Sequence, residues 1–234
     1  MSSFVSDLSA ELRAQYPFKT ELHAHTNPAS DCSEISPEEA VRLYRGLGYS
    51  AICITNHMDT GLYCTLEEWT EDYYRAKAEG EKLGLDVIFG VEVRLDNDGN
   101  HYQLIGITPE EIPEVFKTLN LPIAEFSRLW RGEGRLFNYA HPHRGKNTLA
   151  DYGLFDSIEA FNVHPDSNSR VAVTSREGRE FGIPLTAGTD FHHPTHEGLS
   201  ALRSRFAPKT GGDIASILRS GDYVLEIGGS IVIP

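Results

Sequence analysis

Glu21-Leu22-His23-Ala24-His25-Thr26 is the stretch of this chain best equipped for chemistry. It continues from Phe18-Lys19-Thr20, which reads as the start of a β-strand. Side chains alternate faces along a strand, so His23 and His25 point the same way. Two imidazoles side by side at a strand end can grip one metal ion. His57, Glu92, His141, Asp190 and His192 likewise fall at or just past the ends of apolar runs. His101 opens such a run, and Asp31 lies in the first polar loop. All of these are imidazole or carboxylate, a donor set suited to zinc, manganese or iron rather than to a soft thiolate site. A lone histidine at a strand end is ordinarily a hydrogen-bonded structural residue. Recurrence at the same end of successive elements weakens that reading. Buried Asp, Glu and His are costly without partners, and a shared cation removes the cost. Metal-assisted hydrolysis is the chemistry such a set performs.

The elements that must position these residues alternate along the chain. Residues 2–16 predict a short lead-in helix stopped by Pro17, and 18–23 the first strand. Ser36-Pro37-Glu38-Glu39 is a helix start, with Ser36 as cap and Glu39 three residues on; Gly48 ends that helix. Ala51–Thr55 is a continuous apolar strand of the kind buried in parallel sheets. Residues 67–83 read as a long helix, 87–91 as a strand delivering Glu92, 96–100 as a turn, and 101–107 as another strand. Residues 109–131 read as helix broken at Pro113 and Pro122. Strands follow at 135–140, 157–161 and 185–189, helices at 169–181 and 211–219, and a last strand at 223–227. This alternation, without linker or repeat, predicts one α/β domain over residues 1–234. With about seven or eight strand–helix units, a barrel is favoured over an open sheet. No glycine-rich dinucleotide or phosphate loop is present.

Composition narrows the class. The chain has 234 residues with a formal net charge of −13. So acidic a protein is a poor general binder of nucleic acid, which needs clustered Lys and Arg. Any phosphate must meet local positive charge, which bound divalent metals supply. No apolar run approaches the roughly 20 residues that span a bilayer. The polar N-terminus lacks a signal-peptide core, so a cytoplasmic protein is expected. Cys32, Cys53 and Cys64 show no metal-type pairing and read as reduced thiols.

The ordered motifs resemble the PHP domain, the family named for its occurrence in polymerases and histidinol phosphatases. The residues carrying the resemblance are Glu21-Leu22-His23-Ala24-His25-Thr26, Ile54-Thr55-Asn56-His57, Gly90-Val91-Glu92, the His101 strand, Ala140-His141-Pro142 and Gly188-Thr189-Asp190-Phe191-His192. They span residues 18 to 193. Glu21 replaces the family's commoner Asp, and Asp31 stands where some members carry His. The resemblance implies a distorted (β/α)7 TIM-like barrel of parallel strands holding three divalent ions. It implies that His23, His25, Glu92 and Asp190 bind the first. Glu92 would bridge to a second, held also by His101 and His141. Asp31, His57 and His192 would hold a third. Three carboxylates and three divalent ions leave a positive pocket inside an acidic protein. The implied activity is hydrolysis of a small phosphate ester, with Glu92, His141 and Asp190 at its centre. A phosphodiesterase or nuclease of the same family is the alternative, and an amidohydrolase-type hydrolase or a non-catalytic metal module stand behind it.

Substrate contacts are less defined. Arg144 can fork onto a phosphate or form a surface ion pair. Arg94, two residues past Glu92, has the same two readings, and Asn162 ends a strand where it can orient substrate or a ligand. His143 and His193 neighbour the ligand candidates, while His164 and His196 read as surface loop residues. A small phosphorylated substrate is the expected partner, with no stable nucleic-acid complex and no membrane. The metal's identity, the substrate and the oligomeric state are not encoded in these motifs.

Overall fold

The structure is a computed structural model and describes residues 2–145, 147 and 150–234. Among the described residues, eleven strands form one sheet: β1 (Phe18–Ala24), β2 (Ala51–Ile54), β3 (His57–Met58), β4 (Asp86–Val93), β5 (His101–Ile105), β6 (Leu136–Ala140), β7 (Ser157–Asn162), β8 (Leu185–Gly188), β9 (Ser200–Ser204), β10 (Val224–Ile227) and β11 (Ser230–Val232). Seven α-helices accompany them: α1 (Ser2–Gln15), α2 (Pro37–Gly46), α3 (Leu66–Leu83), α4 (Ile112–Lys117), α5 (Ile123–Trp130), α6 (Val171–Phe181) and α7 (Gly211–Ser220).

The local rules account for most boundaries. Ser36 caps α2 by accepting from Glu39 N at 3.3 Å. Thr65 and Glu68 form a reciprocal capping box on α3, and Gly84 ends that helix in the left-handed region. Pro113 lies in the first turn of α4, where its missing N–H costs nothing, so it starts a helix rather than breaking one. Pro122 does interrupt, standing immediately before α5.

The sheet runs β11-β10-β9-β1-β2-β4-β5-β6-β7-β8, with β3 beside β4. It curls until β8 meets β1. Ala24 and Phe191 form a parallel bridge, Phe191 N donates to His23 O at 3.1 Å, and His25 N donates to Phe191 O at 2.9 Å. The sheet is mixed, which corrects the all-parallel expectation. The short turn after β4 returns the chain directly, so β5 runs antiparallel to both β4 and β6. Strand β9 is absent from the sequence-derived elements. Its Ser-Ala-Leu-Arg-Ser pattern is too short and polar to read as a buried strand, yet it pairs antiparallel with β1 and β10.

Three apolar clusters hold the elements in place. One packs Ile214 and Leu218 of α7 against Leu22, Ile88, Ile105 and Leu136, stopping the end where β6 begins and β5 finishes. Gly211 approaches Gly106 so closely there that a Cβ would lie 2.3 Å from backbone. The opposite end is left to the polar residues.

Candidate metal centre

Each strand delivers its polar residue to that open end. His23 is on β1 and His25 one residue beyond it, both fully buried, with ring centroids 5.0 Å apart. Ala24 between them faces the apolar cluster of Ile35, Val41, Tyr44 and Phe191, which fixes the faces the two imidazoles take. Glu92 is the last residue but one of a nearly uniformly buried β4 and stands in register with His57 of β3. Because β5 is antiparallel, its first residue, His101, lies at this end, opposite Ala140 and beside the His141 that follows. His141 and Asp190 have φ of 30° and 56°, a left-handed conformation that non-glycine residues seldom adopt.

Glu92 is the hub. Its Oε1 lies 3.3 Å from His23 Nε2, 3.1 Å from His141 Nε2 and 3.4 Å from His101 Nδ1. Its Oε2 lies 3.3 Å from His25 Nε2 and 2.9 Å from His57 Nδ1. Asp190 Oδ1 lies 3.3 Å from His23 Nε2 and 3.2 Å from His25 Nε2. Three overlapping groups have all ligand atoms within 4.8 Å of one another: His23, His25, Glu92 and Asp190; His57, Glu92 and His101; and His25, His57 and His192.

A divalent cation fits this set. His23 Nε2, His25 Nε2 and Glu92 Oε2 are buried and have no hydrogen-bond partner. Orphaned buried polar atoms are expensive, and here they converge. Ligands about 2.1 Å from a tetrahedral ion lie about 3.4 Å from each other, close to the separations seen. In two of the histidines the other ring nitrogen is already committed. His23 Nδ1 lies 2.8 Å from Glu159 Oε1, and His192 Nδ1 donates to Asp190 O at 2.7 Å. That leaves Nε2 of His23 and His192 free for an ion, while His57 and His101 meet Glu92 through Nδ1.

The electrostatics match. Burial alone would raise the Glu92 and Asp190 carboxyls, but the surrounding imidazoles, His23 foremost, hold both well below the usual range. Burial opposes a charged His23, yet Glu159, Asp190 and Glu92 outweigh it and raise the ring well above its ordinary value. His57 is also raised against the effect of burial, chiefly by Glu92, to about 10. His192 goes the other way, to about 3, through burial and the neighbouring His25.

The other sequence-derived candidates divide. Asp31 is exposed and joins none of these groups; the tight turn over residues 26–33 points it outward, while the Cys32 thiol faces His57. Arg94 is exposed and ion-paired with Asp59. Arg144 reaches into the centre: Nη1 donates to Asp190 Oδ2 at 2.6 Å and Nη2 to Asn162 Oδ1. Asn162 Nδ2 in turn donates to Glu159 Oε2 at 2.9 Å. His143 is held by Glu177 at 2.6 Å, and His193 faces Glu34 at 3.3 Å.

Two carboxylates receive no role from the sequence: Glu159 is not singled out, and Glu21 stands only as a motif residue. Glu159, buried on β7, holds His23 and accepts from His141 N at 3.1 Å. Glu21 accepts from Thr189 N and Oγ1, His23 N and Tyr44 Oη. Their one signal is a charged residue inside an otherwise buried strand.

No helix among the described residues is long and apolar enough to cross a membrane. Comparison with known proteins agrees with the site. The chain is 30% identical over 205 residues to an uncharacterized protein of Methanocaldococcus jannaschii, covering 80% of this chain and 86% of that one. Its fold is similar to a two-domain protein of Bacteroides vulgatus described as containing a predicted PHP-like metal-dependent phosphoesterase (TM-score 0.64, 16% identity, 90% of this chain). This chain spans 64% of that protein. PsfC from Pseudomonas syringae is also similar (TM-score 0.61, 15% identity, 85% of this chain and 88% of that one). The family model described as the PHP domain matches residues 21–152, more than half the length, and the chain belongs to that family.

Proposed function

We propose that this protein is a metal-dependent phosphoesterase hydrolysing a small phosphate ester at a trinuclear centre. The observation carrying the proposal is the split of Glu92: one oxygen serves His23, His101 and His141, the other His25 and His57. With its two oxygens serving different imidazoles, Glu92 would let those side chains hold more than one divalent cation. Divalent ions held there, whether zinc, manganese or iron, supply a nucleophilic water at neutral pH and neutralise phosphoryl charge.

The chain's own residues do the rest. Glu159 fixes the His23 ring and the His141 backbone, so both present one nitrogen inward. Arg144 is the arginine that reaches the carboxylates, with a partly exposed guanidinium that can turn one edge towards a phosphate. Glu92, His141 and Asp190 form the floor on which the phosphoryl group rests, with Asn162 steadying Arg144. The free cysteines support a cytoplasmic setting, and the acidic charge argues against a stable nucleic-acid complex.

The test is protein loaded in turn with each metal and assayed on p-nitrophenyl phosphate, bis(p-nitrophenyl) phosphate and an amide. Monoester hydrolysis that disappears on chelation and in Glu92→Gln is expected. Diester turnover exceeding monoester turnover moves the reading to a phosphodiesterase, and amide turnover alone overturns it.

A further inference from the structure

A second gathering of metal-binding side chains lies outside the central set. His164 follows β7, Asp166 lies two residues on, and His196 comes from the loop between β8 and β9. Ligand atoms of all three fall within 4.8 Å of one another. From sequence the two histidines read as surface loop residues; in the fold both are partly buried. The His164 and His196 rings stand 5.9 Å apart at 77°. His164 is anchored through its backbone, whose N donates to Asn162 Oδ1 at 3.2 Å. His196 Nδ1 is shielded from solvent and has no hydrogen-bond partner. The three residues come from two separate loops, so their meeting is a product of the fold rather than of sequence proximity.

We infer that His164, Asp166 and His196 form a further divalent-cation site at the rim of the centre. Two imidazoles and one carboxylate are the nitrogen and oxygen donors that zinc accepts, with a fourth position open to water. An ion there relieves the orphaned His196 nitrogen. It also satisfies the Asp166 carboxylate, which faces solvent. One bond must yield: Asp166 N donates to His164 Nδ1 at 3.1 Å, so an ion on Nδ1 displaces that amide, while one on Nε2 requires the ring to take up a proton at Nδ1. The site adjoins the central set without sharing a ligand. The His164 ring lies 5.6 Å from His192, which stacks 4.3 Å from His25. The inference therefore stands whether or not the centre hydrolyses phosphate esters.

The experiment is equilibrium dialysis of the full chain against zinc alone, with elemental analysis. The double variant His164→Asn, His196→Asn is expected to hold one zinc equivalent fewer per chain than the parent, at an unchanged melting temperature. Glu92→Gln should lose central zinc and keep the rim equivalent, so failure at the rim is separable from failure of the centre. A folded double variant with the parent's zinc content overturns the inference. If the double variant does not fold, Asp166→Asn decides, because that exposed side chain supports no helix or strand. At least a tenfold weakening of one equivalent upholds the site, and an unchanged isotherm overturns it.

Discussion

Glu159 Oε1 stands 2.8 Å from His23 Nδ1, deep in a site where both side chains are essentially inaccessible to water. The other carboxylate oxygen accepts from His141 N and Asn162 Nδ2. One side chain thus sets the orientation of two ligand candidates on different strands. Substituting the carboxylate partner of a ligating histidine typically lowers metal affinity 10–100-fold. Glu159→Gln keeps an acceptor for His23 and is expected to fold while binding zinc about tenfold more weakly or worse. Isothermal titration of the metal-free protein checks this, and parental affinity would count against the role.

Metal uptake should release protons. With no ion bound, His23 is raised well above its ordinary value and His57 to about 10, so both rings are protonated at pH 7. A ligating imidazole must be neutral, so binding expels about two protons per chain. The sign follows: apparent affinity increases with pH between 6 and 8, because a reaction that releases protons is favoured as the proton concentration falls. Calorimetry in two buffers of different ionisation enthalpy counts them. Heats that do not depend on buffer would contradict the protonation assignments.

Arg144 joins Asp190 to Asn162 through two nitrogens of one guanidinium, a span an ammonium cannot copy. Arg144→Ala and Arg144→Lys are each expected to retain bound metal but to cut monoester turnover by roughly 10²-fold, the usual cost of losing a donor to developing charge. If Arg144 served the fold alone, the melting temperature would fall with turnover intact.

Gly188 ends β8 against the back of the site. A Cβ there would lie 2.0 Å from Glu159 Oε1 and 2.6 Å from His23 Cβ. Gly188→Ala therefore has to push apart the pair that orients the first ligand. Overpacking of this kind costs about 1–3 kcal/mol. Thermal denaturation should show a melting point several degrees lower, together with reduced zinc content. A variant matching the parent in both would refute the clash.

Much of the site was legible because its spacing obeys strand geometry. His23 and His25 share a face through the two-residue period, and Glu92 closes a run of buried β-formers. The direction of β5 was not legible: hydrophobic pattern reports burial, not polarity, so His101 looked misplaced at a strand start until β5 proved antiparallel. Asp31 was named by position in a motif, whereas the turn that aims it outward is set by backbone bonds among Thr26, Ser30 and Ser33. Glu159 read as an ordinary strand residue and Glu21 only as a motif residue, because the partners that give them roles lie 136 and 168 positions away. His164 and His196 meet only through the curl of the sheet, which no local pattern encodes.

The backbone bonds that join β1 to β8 run through His23, His25 and Phe191, inside the very stretch that carries the candidate ligands His23 and His25. A cation held by His23, His25 and Asp190 would act as a rivet through that seam. Occupancy and barrel integrity then rise and fall together, and amide exchange along residues 23–25 and 190–192 becomes a gauge of how full the site is.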